Sequence, residues 1–216
     1  MTEKAFIQKL IDINQPMETS PTRYSTLALL LRGGRRLSGY NIKTGIYKQL
    51  EFYDENFLDQ TFHSFQFTGL INYLIFLEQI GSLFQPKKSD KNPSDKTNGI
   101  NCALSYFSVL DDQKIAAIRA LRNSLTHKFG LATQDKADKS FKFSLSTERN
   151  SDIIHLGEWA GDFSDKNEKS LTTVFIFDFI DLVEMIYKDI NQGWAAQTID
   201  CMTPLNEINA RYTMVY

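Results

Sequence analysis

Between Phe57 and Phe84 apolar side chains recur at roughly helical intervals, at Phe57, Leu58, Phe62, Phe65, Leu70, Tyr73, Leu74, Leu77, Ile80 and Phe84. That pattern is too long for a strand, so one helix is expected over 55–84, with Gly69 as its place to kink. Its most apolar stretch, Leu70 to Phe84, is interrupted by Asn72, Glu78 and Gln79, well short of the unbroken apolar span that a bilayer requires. The helix therefore belongs in a protein core, and no membrane association is expected.

A long core helix needs partners, and the chain offers several. Phe6, Ile7, Leu10 and Ile11 sit at helical spacing in residues 3–13, before Pro16 stops the pattern. The run from Tyr24 to Leu31 ends at Gly33-Gly34 and passes into a Gly-punctuated stretch reaching Gly45, whose secondary structure the pattern leaves open. Residues 85–99 carry Pro86, Pro93 and several lysines, which reads as a mobile polar loop. Helix resumes over 100–110. After Asp111-Asp112, suited to capping, it resumes again over 114–129, with Gly130 as its stop. The alternation Phe141-Lys142-Phe143-Ser144-Leu145-Ser146 and the run Ile153 to Gly157 suggest a β-hairpin at about 140–157. A strongly apolar helix over 171–190 should pack on the long one, and a short helix is expected over 205–212. The sum is a mainly α fold with a small hairpin before its last long helix. Residues 1–50 form a helical extension packed on a domain of 51–216.

The chemistry concentrates in the helix over 114–129. At about 100° per residue, Ile118, Leu121, Leu125 and Phe129 form its apolar stripe. Arg122 falls at the stripe's edge, while Arg119, Asn123 and His127 step by i, i+4, i+8 along the adjoining polar flank, beside Thr126 and Lys128. A guanidinium with a planar fork binds phosphate well, and an imidazole moves protons near neutral pH. With an amide to orient them, these groups suffice for RNA cleavage in which a ribose 2′-hydroxyl attacks the adjacent phosphorus, without a metal. On an ideal helix Arg122 and His127 diverge by about 140°. Convergence of two symmetric chains is therefore expected to build the site, which makes a homodimer the expected assembly.

Arg122-Asn123-x-x-x-His127 near the end of a helix, within Ile118 to Gly130, resembles the motif of the HEPN superfamily. The resemblance covers residues 100–130 and, more loosely, the helices at 55–84 and 171–190. It implies a HEPN-like helical bundle that commonly dimerises, with the hairpin as an insertion. It also implies a metal-independent endoribonuclease of a toxin-antitoxin, phage-defence or CRISPR-associated system, or a relative that binds RNA, a nucleotide or a protein without catalysis. Arg122, His127 and Asn123 would be the catalytic set, and Arg119, Thr126 and Lys128 would assist binding. RNA is the expected partner, with an antitoxin or a nucleotidyltransferase beside it in a toxin setting.

Other candidates are weaker. The net charge of −2 provides no global field for nucleic acid, so any RNA contact must be local. Arg32, Arg35 and Arg36 around Gly33-Gly34 form a dense basic cluster, read here as a solvated loop. Glu78 has a role as partner of Arg122 or Arg119 across the bundle. His63 reads as a packing residue and His155 as part of the hairpin. The three histidines are scattered, and Cys102 and Cys201 lack ligand spacing, so neither metal nor cofactor is expected and the thiols read as reduced. The charged start, Met1 to Phe6, precedes no apolar run of signal length, which makes a cytoplasmic location the expectation.

Overall fold

The structure, a computed structural model, describes residues 2–13, 16–19, 22–41, 43–47, 60–128, 130–134 and 140–215, the side chains of 18, 19, 60–65 and 215 excepted. Phe57, Leu58 and Phe129, and the side chains of Phe62, His63 and Phe65, lie outside this description.

The expected core helix is present as α3, Gln60–Leu83. Leu70, Tyr73, Leu74, Phe76, Leu77 and Ile80 are all buried. Because apolar residues occupy most of its circumference, it sits in the middle of the molecule with neighbours on several sides. Gly69 does not interrupt it. A Cβ there would press on the backbone of α2, Thr26–Ser38, at Ser38 N (2.9 Å) and Gly34 O (3.2 Å), so the glycine permits close approach of two helices. Gly34 faces the ring of Tyr73 in the same way, and Gly33-Gly34 lie inside α2, which runs on to an αL cap at Gly39, φ 76°. The stretch around Gly33 is thus helix and not a solvated loop, and Arg35 on it is buried.

On the far side of α3, α4 (Gly99–Phe107) and α5 (Asp112–Lys128) return as a helical pair. The side chain of Asn98 caps the first, accepting from Asn101 N, and Asp111 accepts from Lys114 N at 2.9 Å at the head of the second. α1 (Glu3–Ile11) and α6 (Ile176–Ala195) close the core with Phe6, Ile7, Leu10, Phe179, Ile180, Val183 and Ile186. No helix among the described residues is long and apolar enough to cross a membrane.

The mainly α expectation and the hairpin do not hold. The described residues contain seven α-helices and also eleven strands in four sheets, a mixed α/β fold. The largest sheet has the order β6-β7-β9-β8, with β6 at Ala132–Gln134, β7 at Ser140–Ser146, β8 at Ile154–His155 and β9 at Leu171–Phe175. β7 and β8 do not pair with each other. β9 lies between them, parallel to β7 (Lys142 opposite Leu171) and antiparallel to β8 (Ile154 opposite Val174). The first five residues of the expected 171–190 helix are therefore strand. Leu171-Thr172-Thr173-Val174-Phe175 is rich in β-branched residues, and Thr172 and Val174 point inward at a period of two, so β geometry prevails before α6 begins at Ile176.

The smaller sheets tie the chain's segments together. β2 (Thr22–Ser25) pairs with β1 (Glu18–Thr19) and with β11 (Thr213–Val215), which follows α7 (Leu205–Tyr212). β3 (Tyr40–Asn41) pairs with β4 (Ile46–Tyr47). β5 (Phe84–Pro86) pairs with β10 (Ile199–Cys201), which anchors the start of the polar stretch after α3.

Candidate functional site

α5 is held by what it buries: Ile115, Ala117, Ile118, Leu121, Ser124 and Leu125 face the core. Its last turn is fastened as well, because Ser124 Oγ donates to Ala132 O at 3.1 Å and Gly130 N donates to Ser124 O. A rigid helix end of this kind can aim side chains, and five of the six expected site residues sit on its last two turns.

Arg122 is the hub. One terminal nitrogen, Nη2, donates to Glu78 Oε2 on α3 in a salt bridge. The other, Nη1, donates to Asn123 Oδ1 at 2.9 Å and lies 3.4 Å from His127 Nε2. A guanidinium has no acceptor, so any hydrogen bond between these two groups makes Nε2 the acceptor and leaves the ring proton on Nδ1. In that tautomer Nε2 carries the lone pair a general base uses. Asn123 and His127 are exposed, and the Arg122 and Glu78 side chains keep 20% and 17% of their surface accessible. The contacts are therefore open to a ligand.

The expected divergence of Arg122 and His127 is thus bridged within one chain. The 140° separates the Cα–Cβ directions on an ideal helix, but the long arginine side chain leans toward Glu78 and its fork reaches back to His127. The spacing reason for a second chain falls away.

The remaining candidates divide. Thr126 turns its hydroxyl to Arg122 O at 2.8 Å, which satisfies that hydroxyl within the helix. Lys128 is exposed at the helix end, where its charge suits the dipole. Arg119 faces Asp95 at 3.6 Å, in the polar stretch after β5. Asp95 also accepts from Thr97 Oγ1 (2.6 Å) and Thr97 N (2.9 Å), which, with the Arg119 charge, holds its carboxyl below the usual range. Lys91 Nζ donates to Ser108 O at 2.5 Å. The stretch read as a mobile loop is therefore tethered at several points, a role for Asp95 that neither periodicity nor motif announces.

The other basic cluster is structural. Arg35 makes a bidentate contact with Glu184 on α6, Nε to Oε1 at 2.7 Å and Nη2 to Oε2 at 2.5 Å, and Tyr73 donates to the same Oε1 at 2.7 Å. Burial works against the Arg35 charge, but the Glu184 hydrogen bond and charge outweigh it and its pKa stands above the ordinary value. Arg32 Nε donates to Ile13 O, while Arg36 is exposed. His155 is exposed, edge-on to Phe175 and 3.5 Å from Asp152. Burial pushes the thiols of Cys102 and Cys201 up, which makes them poor nucleophiles. Among the described residues no three His, Cys, Asp or Glu side chains gather closely enough to share a metal ion.

No protein-family model matches the chain, and neither the curated proteins nor the solved structures contain a match to it.

Proposed function

We propose that the chain is a metal-independent endoribonuclease whose centre is Arg122, Asn123 and His127, with Glu78 as the residue that positions Arg122. The observation carrying this reading is the 3.4 Å approach of Arg122 Nη1 to His127 Nε2 on an accessible helix end. A phosphate-binding fork and a proton acceptor 3.4 Å apart match the needs of phosphodiester transfer. The HEPN-like motif points the same way, although the bundle expected with it does not hold.

In the reaction, His127 Nε2 takes the proton of a ribose 2′-hydroxyl as its oxygen bonds to the adjacent phosphorus. The bond from phosphorus to the 5′-oxygen breaks, and that oxygen leaves with the electron pair and is protonated by solvent. The products are a 2′,3′-cyclic phosphate and a 5′-hydroxyl. Arg122 faces the charge that grows on the non-bridging oxygens, and Asn123 fixes the near side of the guanidinium. Glu78 keeps the Arg122 fork from rotating into solvent, at the cost of part of its charge. All three groups come from one protomer, so cleavage per chain should persist on dilution whether or not a homodimer forms. A toxin or defence role in the cytoplasm, opposed by an antitoxin or a nucleotidyltransferase, suits such an enzyme.

The test is cleavage of mixed RNAs in EDTA by the wild type, Arg122→Ala and His127→Ala, with 2′,3′-cyclic ends scored. Equal degradation by all three overturns the reading. RNA binding that Arg122→Ala weakens, with no cleavage by any of the three, assigns the cluster to binding alone.

A further inference from the structure

Beyond the cluster, along α3, a cavity of about 290 Å³ opens between the end of α3, the 95–97 segment and α4. Ser82, Gln85, Lys96, Thr97, Tyr106 and Met202 line it, with Cys102 among the residues behind them. It is joined to the Arg122 centre in two ways. Ser82 stands one helical turn beyond Glu78 and donates to Glu78 O at 2.9 Å, so one face of α3 serves the cavity and the salt bridge in succession. The 95–97 wall is fixed to α5 through Asp95, which holds Thr97 by two hydrogen bonds and meets Arg119 one turn before Asn123. Cys102 Sγ lies 3.5 Å from Lys96 O and steadies the same wall from α4.

The lining has a distinctive chemistry. Met202 is a large apolar side chain left 54% exposed in a cavity whose other exposed lining residues, Ser82, Lys96 and Thr97, are polar. With the Tyr106 ring it offers polarisable apolar surface to a flat ring. The Gln85 amide carries both a donor and an acceptor, as required to read a ring edge, and Lys96 supplies a cation for a phosphate. A nucleotide combines these three features, a flat ring, a hydrogen-bonding edge and an attached phosphate. At about 290 Å³ the cavity lies at the small end of ligand pockets and has room for one nucleotide base.

We infer that this cavity seats the base of the nucleotide adjoining the scissile phosphate and gives the enzyme a base preference. The inference rests on the ribonuclease reading for its place in a reaction, but its binding chemistry stands on the cavity itself. Tyr106 supplies the stacking face, Gln85 reads the base edge and Lys96 holds the flanking phosphate.

Calorimetric titration of the full chain with each of the four ribonucleoside 3′-monophosphates tests it. One of the four is expected to bind best. Tyr106→Ala should weaken that binding about ten-fold or more, the order of one lost base–aromatic stack, while Tyr106→Phe stays within about two-fold of wild type because the ring is retained. Lys96→Ala, at an exposed position that does not threaten folding, should weaken all four alike, and Gln85→Ala should narrow the difference among them. On RNA, Gln85→Ala should relax base preference and raise KM with kcat kept. No monophosphate binding, or equal binding by wild type, Tyr106→Ala and Lys96→Ala, overturns the inference. The two readings fail separately: binding that follows these variants without any cleavage refutes the ribonuclease and keeps the subsite, whereas His127-dependent cleavage indifferent to Tyr106, Gln85 and Lys96 does the reverse.

Discussion

Arg35 meets Glu184 between α2 and α6, and Arg122 meets Glu78 between α5 and α3; the two pairs are built differently. In the first, both carboxylate oxygens are bound by the guanidinium, a tyrosine hydroxyl is added, and the side chains keep only 10% and 11% of their surface accessible. The Arg35 guanidinium also lies over the ring of Tyr187, 5.7 Å from its centroid. In the second, Glu78 binds one nitrogen of Arg122, the other reaches Asn123 and His127, and Arg122 Nε is buried without a hydrogen-bond partner among the described residues. A saturated pair locks helices together. An under-used, partly accessible pair can exchange partners with an arriving anion, and the buried unpaired donor is a cost that packing alone does not reward.

The contrast breaks first at Arg35. Arg35→Ala leaves Glu184 as a buried carboxylate with the Tyr73 hydroxyl but no cation, and should lower unfolding free energy by about 3–5 kcal/mol in urea titration. A loss near zero would remove the structural half of the comparison. Next comes His127→Ala, expected to cut cleavage by about 10²–10³-fold, with stability within about 0.5 kcal/mol of wild type because the side chain is exposed. A large stability loss with little change in cleavage would assign His127 to packing.

Glu78→Gln sharpens the comparison further. It keeps shape and hydrogen bonding but removes the charge, so a stability loss of about 1–2 kcal/mol is expected, with kcat down by about ten-fold through misplacement of Arg122. A pure structural role would move stability and leave kcat alone. Alkaline pH probes the other pair. Burial first, and then Glu184, raise the Tyr73 phenol far above its ordinary value, so the fold favours the protonated form. Its contribution is whole below about pH 10, the unfolded value, and is lost as pH rises above it, by roughly 1.4 kcal/mol per pH unit. Tyr73→Phe should flatten that limb of the urea stability profile. The smallest effect belongs to Arg119→Ala, whose half-exposed pair with Asp95 should account for no more than about 1 kcal/mol of stability.

The parts of this molecule that local physics governs were legible in the residues. The α3 periodicity, the Asp111 cap, the termination of α5 near Gly130 and the burial of Ile118, Leu121 and Leu125 all follow from interactions within a few residues. Glu78 as a partner for arginine follows from a charge on an otherwise apolar helix, since such a charge must be met. Two signals were present but outweighed: Leu27, Leu31, Arg35 and Ser38 already trace a buried helical face through Gly33-Gly34, and Leu171 to Phe175 already shows β-branched alternation.

Other features could not be read locally. Alternation in 140–146 specifies a strand but not its neighbour, and β9 takes the place between β7 and β8 because crossover and burial of Phe143, Ile154 and Val174 are satisfied together. The tether from Asp95 joins a polar segment to Arg119, more than twenty positions further along the chain, and no periodicity encodes that. By itself the chain order of Arg122, Asn123 and His127 determined which chemical groups share one helix end, because helical spacing is local. Whether Arg122 and His127 could meet was decided by tertiary structure alone: Cβ directions set by the backbone point apart, while the direction of a long side chain is set by its partner. That partner, Glu78, lies forty-four residues earlier on another helix.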